Sequence, residues 1–144
     1  MLKKVLVTGS NGQVGSCLVE QLGSCDNVEL AAVTRDELDI TNQLAVNEFV
    51  LTFQPDFIIN AAAYTAVDKA EEEQDLANQV NHLAVKQIAQ IAKNQQARLI
   101  HISTDYVFDG ESDKPYKETD ETNPINVYGR TKLAGEKAIQ EFMP

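Results

Sequence analysis

Apolar residues in this chain fall into short dense runs separated by stretches with helical spacing. Residues 5–8, 28–33, 57–59 and 99–102 are aliphatic and β-branched runs bounded by polar or turn-forming positions, the pattern of strands buried on both faces. Between them the apolar period lengthens to three and four. A helix is predicted over residues 14–22. A second is marked by Leu44, Val46, Phe49 and Val50, entered through Asp39-Ile40-Thr41 with Thr41 as N-cap and broken by Pro55. A long helical stretch follows from about residue 68 to 94, with room for an interruption. After the fourth strand, residues 109–126 are polar, carry Gly110, Pro115 and Pro124, and form a loop. A last helix is expected from Val127 to Phe142.

Strands alternating with helices imply βαβ units, a parallel sheet and right-handed crossovers. The expected fold class is therefore α/β, a Rossmann-type doubly wound parallel sheet. Such folds usually have six strands, and four are visible here. Residues 1–144 are accordingly expected to be an NAD(P)-binding domain, truncated at its C-terminal end, with the substrate-binding half absent. The sequence favours the front part of a longer protein.

Charge and cysteine content narrow the class. Twelve basic against 22 acidic residues give a net charge of −10, which argues against a general nucleic-acid binder or an anionic-membrane surface. The acidic run Glu71-Glu72-Glu73 is expected to be a solvated face that suits the positive end of a helix dipole. Cys17 and Cys25 make neither a disulfide framework nor a zinc spacing, so a reduced compartment is expected. The first apolar run stops at Thr8-Gly9, too short for a signal peptide, and no run of 18 apolar residues occurs. A cytoplasmic protein is expected.

Directly after the first strand stands Gly9-Ser10-Asn11-Gly12-Gln13-Val14-Gly15, opening a helix. In a G-x-x-G-x-x-G loop the first glycine permits the tight turn, the second lets a pyrophosphate approach, and the third lets helix pack on strand. Free amides at the helix start bind the phosphates. At the tip of the second strand, Arg35 suits the 2′-phosphate of NADP, which tilts the cofactor toward NADPH, with NADH possible. The alternative for Arg35 is a surface ion pair with Asp36 or Glu37. Asp39 is placed to bond the adenine amino group and Ile40 to pack on the ring. Small residues in Asn60-Ala61-Ala62-Ala63-Tyr64-Thr65 let a cofactor cross the strand ends closely.

Tyr128 and Lys132, four apart on the last helix, share a face. A nearby ammonium favours ionisation of a phenol, whose ordinary pKa of about 10 hinders proton exchange at neutral pH. Thr104, 24 residues before Tyr128, adds a hydroxyl for a carbonyl oxygen. With a nicotinamide cofactor this is a hydride-transfer site. His101 is expected to be a packing histidine, His82 a surface or packing one, and no metal cluster is visible.

Together these signatures resemble the extended short-chain dehydrogenase/reductase superfamily, and within it the dTDP-4-dehydrorhamnose reductase family. The resemblance is carried by Val7-Thr8-Gly9 through Gly15, Leu38-Asp39-Ile40-Thr41, residues 60–71, Ser103-Thr104-Asp105-Tyr106-Val107-Phe108-Asp109-Gly110, and Tyr128 through Glu136. It implies Tyr128 as proton donor to the sugar C4 oxygen and Lys132 as its activator and ribose ligand. Thr104 bonds the carbonyl oxygen, and Thr104 and Asp105 touch the nucleotide-sugar substrate. Gly12, Gln13 and Val14 contact the pyrophosphate, Asp39 and Ile40 the adenine, and Ala62, Ala63 and Thr65 the middle of the cofactor. The implied reaction is reduction of the 4-keto group of dTDP-4-dehydro-L-rhamnose by a longer parent, with these residues inactive alone. The alternative is a non-catalytic nucleotide-binding module similar to the regulatory subunit of methionine adenosyltransferase.

Two departures matter. Related 4,6-dehydratases carry a glutamate where this chain has Tyr106, which speaks against water elimination. Some family members hold magnesium at a homodimer interface through a glutamate where this chain has Cys17, so magnesium is doubtful while a homodimer stays possible.

Overall fold

The computed structural model describes residues 1–143. The chain runs β1 (Lys3–Thr8), α1 (Gln13–Gly23), β2 (Val28–Val33), α2 (Gln43–Phe53) and β3 (Phe57–Asn60). Two short helices follow, α3 (Val67–Ala70) and α4 (Gln74–Asn78). A π-helical turn (Gln79–Leu83) leads into α5 (Ala84–Asn94), then β4 (Arg98–His101), a 3₁₀ turn (Asp105–Val107) and α6 (Val127–Phe142). All strand pairings are parallel, in the order β2-β1-β3-β4. This is the Rossmann-type α/β architecture expected from the alternation. The strand order reverses between β1 and β3, and a crevice opens there at their carboxyl ends.

Alternating side chains of the sheet build two cores. Leu6 and Ile58 point to one face and pack with Val46 and Val50 of α2 and Ile88 and Ala92 of α5. Val5, Val7 and Ile59 point to the other, against Leu18 and Leu22 of α1. The first core is the larger because two crossovers, β2 to β3 and β3 to β4, run over it and only one runs over the second. β4 is an edge strand. Its Ile100, beside Ile59 on the α1 face, is 48% exposed.

Local departures from the expected boundaries have specific causes. Thr41 does not cap α2: its amide and hydroxyl both donate to Asp39 Oδ1, at 2.9 and 2.7 Å. Asn42 caps instead, accepting from the Ala45 amide at 3.1 Å. The long helical stretch breaks at residues 71–73, where the acidic run forms a turn. Glu71 does sit at a helix start, but of α6: it accepts from the Val127 amide at 2.9 Å. A carboxylate there complements the dipole of the helix that carries Tyr128. No helix among the described residues is long and apolar enough to cross a membrane.

Candidate functional site

A cleft of about 520 Å³ occupies the crevice at the reversal of strand order. Gly9, Gly12, Gln13 and Val14 line it from the β1–α1 loop, Arg35, Asp39 and Ile40 from the segment after β2. Ala62, Ala63 and Thr65 line it after β3, and Tyr128 and Lys132 reach it from α6. Segments far apart in sequence thus converge on one concavity, at the place where open α/β sheets bind ligands.

The three loop glycines differ in why they are glycine. Gly9 has φ +67°, and a Cβ there would stand 2.6 Å from the Ala62 amide nitrogen. Gly15 is buried, and a Cβ on it would run into the Gly9 carbonyl oxygen. Both are required by the protein's own packing. Gly12 is not: a Cβ would meet only the Gly9 carbonyl, at an ordinary 3.4 Å, and otherwise faces the open cleft. Its missing side chain leaves room for something outside the chain. α2 and α6 are capped by Asn42 and Asn126, whereas α1 starts on Gly12 with no side-chain cap. Its first amides have no side-chain cap and face the cleft, an arrangement that suits an anion.

Arg35 pairs with neither Asp36 nor Glu37. Its Nε lies 3.9 Å from Asp39 Oδ2, an exposed contact of little energetic weight, so the guanidinium is free to turn to a phosphate. Glu37 instead accepts from the amide and hydroxyl of Thr34, at 2.8 and 2.9 Å. Those Thr41 bonds, then the Arg35 charge, hold the Asp39 carboxyl below the usual carboxylate range.

The floor of the cleft is a buried polar network. Asn60, 1% exposed, accepts from the Thr8 hydroxyl at 2.7 Å and the Ala62 amide at 3.2 Å through Oδ1. Its Nδ2 lies 3.1 Å from His101 Nδ1. Since Nδ2 can only donate, Nδ1 accepts and the His101 proton resides on Nε2. Burial, then the Lys132 charge, pushes the His101 pKa down to about 4. This packing histidine, as expected, is neutral at physiological pH.

Asn81, within the π-helical turn, ties the loop after β3 to α6. It accepts from the Tyr64 amide at 2.8 Å, donates to the Tyr64 carbonyl at 3.0 Å and to Thr131 Oγ1 at 3.2 Å. No sequence motif marks Asn81. The signal is a polar residue inside the apolar stripe Ala77, Ala84, Ile88, which requires buried partners. Tyr64, a second tyrosine in the cleft, donates to Glu73 at 2.6 Å, and that bond pushes its pKa up to about 12. The bond keeps Tyr64 protonated and unsuited to proton transfer.

Tyr128 is 8% exposed, with its ring edge-on to Tyr106 at a centroid distance of 5.4 Å. Lys132, 2% exposed, donates to the Ile102 carbonyl at 2.6 Å. Burial pulls its pKa down to about 8, with Glu136 opposing. Thr104 and Asp105 do not line the cleft, whereas Ser103 does. Thr104 Oγ1 accepts from the Tyr106 amide at 3.2 Å and caps the 3₁₀ turn. Both residues lie just outside the cleft, at the start of that turn. Cys17 is exposed on α1, its thiol ill suited to magnesium, and among the described residues no group of three His, Cys, Asp or Glu could hold a metal ion.

The chain is similar to known proteins along nearly its whole length. Residues 3–144 match the family described as RmlD substrate binding domain. A dTDP-4-dehydrorhamnose reductase of Salmonella typhimurium is 48% identical over 142 residues, 97% of this chain and 48% of that protein. A dTDP-4-keto-6-deoxy-D-glucose reductase of Streptomyces niveus is 43% identical over 144 residues, 100% of this chain and 50% of the other. A crystal structure of dTDP-4-dehydrorhamnose reductase from Bacillus anthracis in complex with NADP superposes with a TM-score of 0.95 at 40% identity. That superposition covers 99% of this chain and 50% of the other. The chain spans about half the length of the curated relatives it matches.

Two consequences are measurable. Gly15→Ala should cost about 2–4 kcal/mol in urea unfolding, because backbone must move to admit a Cβ, while Gly12→Ala stays within about 1 kcal/mol. His101 contributes a pH dependence of known sign. Its folded pKa of about 4 lies below the ordinary 6.5, so the unfolded chain binds the extra proton. Stability is full above pH 6.5 and falls toward pH 4, by up to about 3 kcal/mol. Urea titrations across that range should show the fall, and His101→Gln should flatten it.

Proposed function

Since the chain belongs to the RmlD substrate binding domain family, we propose that, within a longer protein, it forms the cofactor-binding half of an NADP(H)-dependent nucleotide-sugar reductase. The substrate we assign is dTDP-4-dehydro-L-rhamnose, reduced at C4 to dTDP-L-rhamnose, in the reducing cytoplasm where free Cys17 and Cys25 persist. The observation that carries this reading is the convergence of an anion-binding loop, Arg35 and the Tyr128–Lys132 pair on one cleft.

The residues present fit a dinucleotide. Gly12 leaves the face of its loop open, and the uncapped amides of Gln13 and Val14 at the α1 start meet the pyrophosphate. Arg35 takes the 2′-phosphate and Asp39 and Ile40 the adenine, while Ala62, Ala63 and Thr65 pass the central part. NADPH, when bound, supplies the hydride to C4. Tyr128 gives its phenolic proton to the carbonyl oxygen, so that the ketone becomes a secondary alcohol. Lys132, still largely protonated at neutral pH, stabilises the phenolate left behind and is held in place by the Ile102 carbonyl. The Thr104 hydroxyl donates to the same substrate oxygen, and Asp105 contacts the sugar. These roles apply equally to the 4-keto sugar named for the Streptomyces relative.

In the full-length protein, wild type should oxidise NADPH on addition of dTDP-4-dehydro-L-rhamnose. Tyr128→Phe should lower kcat by about 10²- to 10⁴-fold with NADPH binding little changed. Equal turnover by the variant would end the proposal. Fluorescence titration tests the cofactor site separately. Gly12→Ala should weaken NADPH and NADH alike, whereas Arg35→Ala should weaken NADPH alone, by about tenfold, the worth of one charge-assisted hydrogen bond.

A further inference from the structure

The catalytic helix grips the chain leaving β4 at two points, one turn apart. Lys132 Nζ donates to the Ile102 carbonyl at 2.6 Å, and the Ser103 hydroxyl donates to Glu136 Oε1. Residues 132 and 136 occupy the same helical face. Two consecutive residues of the strand exit, just ahead of Thr104, are thereby fixed to α6. Ser103 lines the cleft, so its hydroxyl is drawn toward α6 by a group the cleft does not contain.

We propose that Glu136 is a positioning residue of this site, supplying the counter-charge for the buried Lys132 ammonium and fixing the strand exit at Ser103. The proposal rests on the reductase reading above for its functional meaning. Lys132 has lost almost all its water, being 2% exposed, and its hydrogen-bond partner is a neutral carbonyl. A buried ammonium in that position sheds its proton unless a negative charge stands nearby.

The other titratable groups around Lys132 do not provide that charge. His101 on β4 is neutral near pH 7. Tyr128 is on the same helix one turn earlier, and Tyr64 across the cleft is bonded to Glu73, which also pairs with Lys69 at 3.1 Å. Glu71 is engaged by the Val127 amide, and Asp105 on the 3₁₀ turn is exposed. The π-helical turn contributes the uncharged Asn81 amide and His82, which bonds Asn78. On α5, Lys86 stands 4.0 Å from Glu141 near the far end of α6. Glu136 is the carboxylate that raises the Lys132 pKa against the effect of burial. Removing it leaves a neutral amine at lower pH, and a neutral amine holds a phenolate poorly.

The test is an NMR titration of lysine Cε in residues 1–144, with the Lys132 resonance assigned by Lys132→Arg. Glu136→Gln should lower the Lys132 midpoint by at least ~0.5 pH unit. Glu141→Gln, the same charge change farther along α6, should leave it in place, as should Ser103→Ala, which keeps the carboxylate. If Glu136→Gln does not fold, Glu136→Asp should lower the midpoint by a smaller amount. In the full-length protein the high-pH limb of kcat/KM should move down with the Lys132 midpoint. An unmoved midpoint in Glu136→Gln, or an equal shift in Glu141→Gln, would overturn the proposal. The titration needs neither cofactor nor substrate. Absent turnover by the wild-type full-length protein, with the midpoint shift intact, would sink the reductase reading and leave the electrostatic pairing standing.

Discussion

The amide of Asn60 is the contact on which the site depends. It is buried at the end of β3, where it joins β1 through Thr8, its own following loop through the Ala62 amide, and β4 through His101. A buried amide bonded through both its oxygen and its nitrogen is held rigidly, and one left unmet is costly. The ends of β1, β3 and β4 are therefore tied together. Beside them the backbone of Gly9 approaches Ala62 too closely for a side chain, where the β1–α1 loop and the loop after β3 face each other. The cleft is the gap left between them.

From that floor, polar ties lead outward to α6. Asn81 holds both backbone groups of Tyr64 and reaches Thr131 on α6, and Glu71 holds the first amide of the same helix. The result places a tyrosine and a lysine deep in a largely apolar setting. Burial alone opposes the charged lysine, whose ammonium donates to the Ile102 carbonyl while the Glu136 charge acts against the effect of burial. Stability and the electrostatics of the cleft draw on the same few buried polar groups.

Much of this was legible in the residue pattern. Dense β-branched runs divided by helical periods led to four parallel strands, and β2 and α6 fell where the periodicity put them. The glycine spacing located the loop, and Tyr128 with Lys132 announced a shared face. What escaped was whatever depends on competition between close alternatives. Thr41 and Asn42 are both good caps, and the choice turned on Asp39, which captured the Thr41 hydroxyl first. Arg35 had three acids within reach, and the one at i+4 comes near it only in a weak, exposed contact at 3.9 Å. The acidic run looked like solvated surface, but Glu71 and Glu73 bond residues 56 and 9 positions away. No local pattern encodes a partner at that separation.

By itself, the sequence determined the fold class, the position of the glycine loop and the shared face of Tyr128 and Lys132, because each depends on short-range periodicity or on residues a few positions apart. Only the tertiary structure decided which glycines the protein's own packing requires and which one it does not. It likewise decided that Ser103 rather than Thr104 lines the cleft, and that Lys132 is buried, with the Glu136 charge opposing the effect of that burial. Those outcomes depend on how closely distant backbones approach and on how much water is excluded where they meet. Neither quantity exists until the chain has folded.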